Sequence, residues 1–262
     1  MTVYGGQGDP ARTMALLWRA DAPAAARTAP GPRPGLTVDA IVAAGIALAD
    51  ESGLAGLSMR AVGQRLGTSA MALYTYVPSK RELLDLMYDQ AHAGLPTGYA
   101  AAGLREAVLA WAADLWDRCL AHPWLLQVSY ARPVLGPHEQ AVLEALLGVL
   151  DRATLGAAAR RTAVSALLHL VRGLAQTAAE AREAARATGD SDEQWWQARA
   201  GQIAHVAPDF AARFPHSAAL AQTGAQTGDQ AGEQAAYDPV EQARQALTGA
   251  LNLLLDGLGA QS

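Results

Sequence analysis

A chain of 262 residues, 51% apolar and 17% charged, is long enough to bury a sizeable core as one large domain or two modest ones. Its formal charge of −5 argues against holding nucleic acid by bulk attraction, and its one cysteine, Cys119, excludes an intrachain disulfide framework. No apolar run reaches the ~18 residues a membrane span requires, and the N-terminus lacks the apolar stretch of a secretory signal, so a cytoplasmic location is expected.

Alanine supplies much of the apolar half and aromatics only 6%, which favours closely packed helices over sheets. Residues 1–35 are rich in Ala, Pro, Gly and Arg without a sustained period and are expected to form a mobile arm. Thr37 then caps a helix with Ile41, Val42, Ile46 and Leu48 on its apolar face, ended by Gly53 and Gly56. Ser58 caps a short second helix that stops at Gly67. A third runs from near Ser69 to about Val77, where Pro78 breaks it. Ser79, with Glu82 three residues on, reads as a capping box opening a fourth helix that fades at residues 94–98.

The remainder reads helical as well: residues 103–121, a short segment at 124–130, 137–150, a long stretch over 157–187, EQWWQARAGQIAHV, and 240–258. Residues 221–236, low in complexity, are expected to be a mobile loop. No strand signal is present, and the expected class is all-α.

Charge is not spread evenly. Residues 58–81 hold Arg60, Arg65, Lys80 (the only lysine) and Arg81 with no acid, a local +4 on a remainder of −9. Gly63, Gly67 four residues on and Leu73 six further give the spacing of two short helices joined by a tight turn, a helix-turn-helix. Val62, Leu66, Leu73 and Tyr76 would pack the two helices together, leaving Ala70, Met71, Ala72, Tyr74 and Thr75 outward. Such a second helix fits a major groove, with tyrosine hydroxyls and the Lys80 ammonium on phosphates. The same spacing also occurs as plain connective packing.

The stretch TVDAIVAAGIALADESGLAGLSMRAVGQRLGTSAMALYTYVPSKRELLDLMYDQA, with its LYTYVPSK signature, resembles the DNA-binding domain of the tetracycline-repressor (TetR) family without a gap over residues 36–91. HPWLL, ARPVLGP, VRG, EQWW and the closing LLLDGL resemble the ligand-sensing domain of that family's tetracycline-repressor-like branch, giving a second domain over 92–262. The resemblance implies that Arg60 approaches bases or backbone, that Ala70, Met71, Ala72, Thr75 and Tyr76 face base edges, and that Tyr74 and Lys80 contact phosphates. Ser69, which opens the recognition helix, belongs to the same edge. Ala70 and Met71 offer no hydrogen bond, so readout would lean on Arg60, Thr75, methyl contacts and DNA shape. Arg27 and Arg33 are candidates for a minor groove, although a solvated tail is the reading favoured for them.

The resemblance further implies a homodimer, paired through the helices near 157–187 and 240–258, reading a palindromic operator. Independently, Val164, Leu167, Leu168, Val171 and Leu174 form one apolar surface and Leu247, Leu251, Leu254 and Leu258 another, both suited to partner packing. Ser165, His169, Arg172 and Gln176 make a polar line on the long helix, either a solvated face or groups orienting a small-molecule effector. Trp111, Trp116, Trp124, Tyr130, Trp195 and Trp196 are either ordinary core or the wall of an apolar pocket. In tetracycline repressors a magnesium-binding histidine precedes an Arg-Pro pair by four residues. Here Arg132-Pro133 is preceded by Val128, so tetracycline–magnesium is not the expected inducer.

No phosphate loop, dinucleotide fingerprint or zinc-protease motif is present, since His138-Glu139 has no suitably spaced partner. His92, His122, His205 and His216 have no metal-ligand spacing, and Cys119 lies on an apolar face, so no metal, cofactor or enzymatic activity is expected. The expected function is a ligand-responsive repressor released from its operator by a small, apolar molecule. Two alternatives stand beside it: a regulator controlled by a protein partner or by abundance, and an all-α module whose helix-turn-helix serves packing only.

Overall fold

A computed structural model of the chain describes residues 3–20, 36–100, 103–228 and 238–259, and among these the regular structure is helical, with a single isolated bridge between Val3 and Val128. The helices are α1 (Pro10–Leu17), α2 (Val38–Gly56), α3 (Met59–Arg65), α4 (Ala70–Tyr74), α5 (Lys80–Ala91), α6 (Leu104–Ala121), α7 (Pro137–Leu150), α8 (Ala157–Thr188), α9 (Asp192–Val206), α10 (Phe210–Arg213), α11 (Pro215–Gly228) and α12 (Pro239–Gly259), with a 3-10 turn at Pro123–Gln127 between α6 and α7. The all-α expectation holds.

Two compact units divide the chain: residues 1–176 with 247–262, and residues 177–246. In the first, Ile41, Val42, Val62, Leu73, Leu83 and Met87 interlock α2 to α5, each almost wholly withdrawn from water. Trp111, Trp116, Leu146, Leu167 and Val171 are equally buried on α6, α7 and α8. In the second, α9 buries no side chain; Trp195 and Trp196 are exposed and meet edge to face at 5.0 Å.

Side-chain oxygens start the helices where hydroxyls precede apolar periodicity. Thr37, Ser58 and Ser69 accept the backbone N–H groups of Ala40, Ala61 and Ala72. Gly53 does not end α2 but kinks it, with φ at +67°, before Leu54 and Leu57 bury their side chains. At Ser79 the reciprocal capping box is not formed. The hydroxyl accepts Arg81 N–H, but the Glu82 carboxylate takes the Ser79 hydroxyl and the distant Asp9 N–H instead. The reciprocal box lies at Ser191 and Gln194, opening α9.

The start of the chain departs from the expected arm. Asp9 caps α1 by accepting Arg12 N–H and Pro10 occupies its first turn, and Thr13 and Leu17, one helical turn apart, are buried. Composition alone hides a helix with so short an apolar face. Arg27 and Arg33 lie outside the described residues. Residues 221–228 are the end of α11 rather than loop, and 229–236 lie outside the description. On α12 the buried line is Leu247, Leu251 and Leu255, a strict four-residue step; Leu254 is half-buried, and the side chain of Leu258 is not described.

Candidate DNA-contact edge and core cavity

The turn between α3 and α4 depends on two glycines. A Cβ on Gly63 would lie 2.9 Å from the Thr68 carbonyl oxygen and 3.2 Å from the Ala70 nitrogen, so only a bare Cα allows the backbones to approach. Gly67 has φ at +65° with open space around it. Gly63→Ala is therefore expected to cost more, about 1–3 kcal/mol because rigid backbone must move, than Gly67→Ala at about 1 kcal/mol for the left-handed conformation. Thermal melts of the two variants check the order, and a larger loss at Gly67 would contradict it.

Leu73 and Val77 face inward with no exposure, which turns the rest of α4 and its C-terminal turn outward. Met71 is 74% and Tyr74 42% exposed, and Arg60, Ser69, Thr75 and Lys80 are exposed too. Ala70 and Ala72 are half-buried. Tyr76 is as well, packed against the core, so it offers an edge rather than a whole ring. Arg65 is engaged elsewhere: its guanidinium donates to both carboxylate oxygens of Glu51 at 2.8 and 2.7 Å. That pairing lowers the pKa of Glu51 and reduces the open charge expected of this region. Arg60 has no hydrogen-bond or ion-pair partner among the described residues, and the Lys80 ammonium reaches only the Leu54 carbonyl at 3.5 Å. What remains is an exposed surface of a thioether, a phenol, two hydroxyls and two cations, chemistry suited to a polyanion with base edges.

A second feature lies within the same unit. A cavity of about 240 Å³ is walled by Tyr88 and His92 at the end of α5, Leu115 on α6, Glu139, Gln140 and Leu143 on α7, and Leu168 and Arg172 on α8, with Tyr130, Pro133 and Leu135 beside them. Burial pushes the Tyr88 and Tyr130 phenols up in pKa, so both keep their protons as donors. His92 lies 2.8 Å through Nδ1 from the Tyr88 carbonyl, which can only accept, so Nδ1 carries the proton and Nε2 is an acceptor. Burial lowers the His92 pKa to about 4, helped by the positive charges of Arg172 and Arg118 and opposed by that hydrogen bond. Glu139 accepts Leu135 N–H at 2.6 Å, and burial raises its pKa.

Of the side chains expected to hold a ligand, Tyr130 and Arg172 line this cavity and meet, with the guanidinium 5.3 Å from the ring centre. Arg172 also donates to the Val128 carbonyl at 3.0 Å. The other expected groups do not line it. Trp111 is packed in the core, donating to Val142 O at 3.2 Å, and Trp116 is equally buried. Trp124 donates to Asp50 at 2.8 Å, joining α2 to the 3-10 turn. His169 is exposed and bonded to the Ser165 carbonyl, and Gln176 is exposed. Large aromatics fill space, and here they fill it completely. Tyr88 and His92 could have been found as a polar pair one turn apart at the end of a helix that is buried from Glu82 to Asp89. Among the described residues no group of three His, Cys, Asp or Glu is placed to hold a metal, and no helix is long and apolar enough to cross a membrane.

Comparison with known proteins finds likenesses over both parts of the chain. Residues 41–87 match the model of bacterial regulatory proteins of the tetR family, and residues 99–261 match the tetracyclin repressor-like C-terminal domain. The chain is 38% identical over 223 residues to the HTH-type transcriptional repressor DrrR1 of Streptomyces coeruleorubidus, covering 84% of this chain and 80% of that protein. Among solved structures, the transcriptional regulator SCO7222, a TetR from Streptomyces coelicolor, is similar at 27% identity and a TM-score of 0.64, over 86% of this chain and 98% of that one. ActR of Streptomyces coelicolor in complex with actinorhodin has the same fold, with 24% identity, a TM-score of 0.66 and coverage of 88% and 99%.

Proposed function

From a chain that belongs to the bacterial TetR family of regulatory proteins, and is thereby a regulator rather than an enzyme, we infer a ligand-responsive repressor. Residues 36–91 hold DNA through Arg60, Ser69–Ala72, Tyr74–Tyr76 and Lys80, and residues 92–262 sense the effector and pair two copies. A two-fold dimer reads a palindromic operator with half-sites about one helical turn or a multiple apart. The relative named as a repressor supports the sign of the output.

One observation carries the reading: α5 begins with Lys80 on the exposed edge and ends with Tyr88 and His92 in the cavity wall. A rigid helix of twelve residues, roughly 18 Å long, converts a shift at one end into a shift at the other. The cavity is below the range of ~300–1,000 Å³ usual for ligand sites, so a larger molecule is fully enclosed only by displacing the walls. Displacement of α5 is what release from two fixed half-sites requires. The lining calls for a compact, largely apolar molecule with a hydroxyl to donate to His92 Nε2 and an aromatic or anionic part near Arg172 and Tyr130.

Binding of the full chain to a labelled duplex from upstream of its own gene, against excess random duplex, tests the first half. A library of small aromatic hydroxyl compounds, screened by thermal shift and then for duplex release, tests the second. A compound that raises the melting temperature, is seated by Tyr130 and Arg172 and leaves duplex affinity unchanged sinks the release mechanism for that compound.

A further inference from the structure

The segment before α2 is fastened to the first unit at four places. Val3 and the 127–129 stretch exchange two backbone hydrogen bonds, at 2.9 and 2.7 Å. Gly6 and Asp9 donate to Asp85 and Glu82 on α5, and the approach is so close at Gly8 that a Cβ would lie 2.5 Å from the Glu82 carboxylate. At the far end of α1, two adjacent side chains point to different parts of the fold. Trp18 Nε1 donates to the Leu135 carbonyl at 3.0 Å, and Arg19 pairs with Asp39 in the first turn of α2. Leu135 is the unusual partner: it lines the cavity, is 47% exposed, and is the one non-glycine among the described residues with positive φ, at +63°.

A non-glycine side chain in the left-handed region is held there at a cost by its surroundings, so displacing the wall that holds it lets this position relax. We propose that residues 3–20 form a latch in which Trp18 and Arg19, as positioning residues, carry movement of the cavity rim at Leu135 to the start of α2. This rests on the reading of the cavity as the effector site. It adds to α5 a second path between cavity and DNA-contact domain, one supplied by a segment that precedes that domain in the chain. Because such coupling is reciprocal, the latch also reports the position of α2 back to the rim.

Hydrogen exchange on the full chain tests it without knowledge of the effector. Leu143→Trp fills the cavity in place of a ligand, and Leu168→Phe fills it from the facing wall should the first variant fail to fold. With the latch intact, the filled cavity is expected to speed exchange of the 39–42 amides about fivefold, the scale of one net hydrogen bond. With Trp18→Phe and Arg19→Gln, which keep bulk and remove the donor and the charge, the rise is expected to fall below about twofold on that scale, with residues 247–255 of α12, which do not line the cavity, as the internal reference. An equal rise in both backgrounds, or no rise with the latch intact, overturns the proposal. Duplex binding by the parent is measured alongside. Its absence would remove the DNA reading while exchange still decides the latch, and its presence with equal rises would leave the repressor and remove the latch.

Discussion

Tyr74→Ala and Lys80→Ala are each expected to weaken specific duplex binding about tenfold, and together about a hundredfold, with little change in melting temperature. Tyr74 is exposed against the fully buried Leu73 beside it, so its removal leaves no cavity. Lys80 makes one long contact to a backbone carbonyl, so its loss leaves no buried charge unpaired. Their effects should nonetheless differ in kind. Removing the ammonium from both copies of the dimer should lower the slope of log affinity against log salt by about 1.8, whereas removing a neutral phenol should leave it in place. Tyr74→Phe separates hydroxyl from ring, retaining affinity only if the ring is the contact. Unchanged binding in the double variant would return the helix-turn-helix to a packing role and remove the proposed contact edge.

Arg60 and Arg65 show why local charge in the sequence overstates what a partner meets. Both are exposed arginines on one seven-residue helix, yet one is paired by two hydrogen bonds to Glu51 and the other has no described partner. Fourteen residues separate Arg65 from Glu51, and no helical spacing predicts a pair that depends on how α2 crosses α3. The exposed edge of the helix-turn-helix was legible because its logic is local: hydroxyl caps, a glycine at the turn, and apolar residues whose inward direction fixes the outward face of a short helix. The cavity was not, because its walls come from four helices and a loop. Tryptophan was a poor guide to it. Trp111, Trp116 and Trp124 are large enough to be the packing that leaves the cavity elsewhere, whereas the residues left around the space are of ordinary size. The first helix was hidden for a different reason. Its cap, Asp9-Pro10, is plain in the sequence, but Thr13 and Leu17 are a face of two residues, and what holds them is α5, seventy positions away.

The same arrangement sets the pH response of the fold. Burial raises the Asp85 carboxyl from 3.8 to about 6, against the stabilising Gly6 N–H and with help from the charge of Glu82. One of its oxygens has no hydrogen-bond partner among the described residues. Between about pH 4 and 6 the folded chain therefore keeps a proton that the unfolded chain has lost, and this group favours folding more as the pH falls. His92 acts in the opposite direction. Its pKa falls from 6.5 to about 4 through burial, so the unfolded chain gains a proton below 6.5 that the folded chain refuses, and stability is lost on acidification. Each contribution is at most about 3 kcal/mol for shifts of this size, and over the shared window they largely cancel. Asp89 and Glu139, both raised chiefly by burial, add to the Asp85 side, and Glu82, lowered by hydrogen bonds from Ser79 and Asp9 that outweigh its burial, subtracts from it.

Subtracting the parent's curve from a variant's isolates one group. Relative to the parent, Asp85→Asn is expected to lose up to about 3 kcal/mol between pH 6 and pH 4, because the variant lacks the carboxyl that takes up a proton on folding in that range. His92→Gln, which can still donate to the Tyr88 carbonyl, is expected to gain up to about 3 kcal/mol as pH falls from 6.5 to 4. Urea midpoints at four pH values across this range measure both, and the slopes should have opposite signs. A flat difference for Asp85→Asn would mean that its carboxyl titrates alike in both states, as it would if water reaches the unpartnered oxygen. The latch would then bind α5 through an ordinary surface hydrogen bond. A sloped one would make Gly6 the donor to a carboxylate held out of water, and the N-terminal segment part of the folded core.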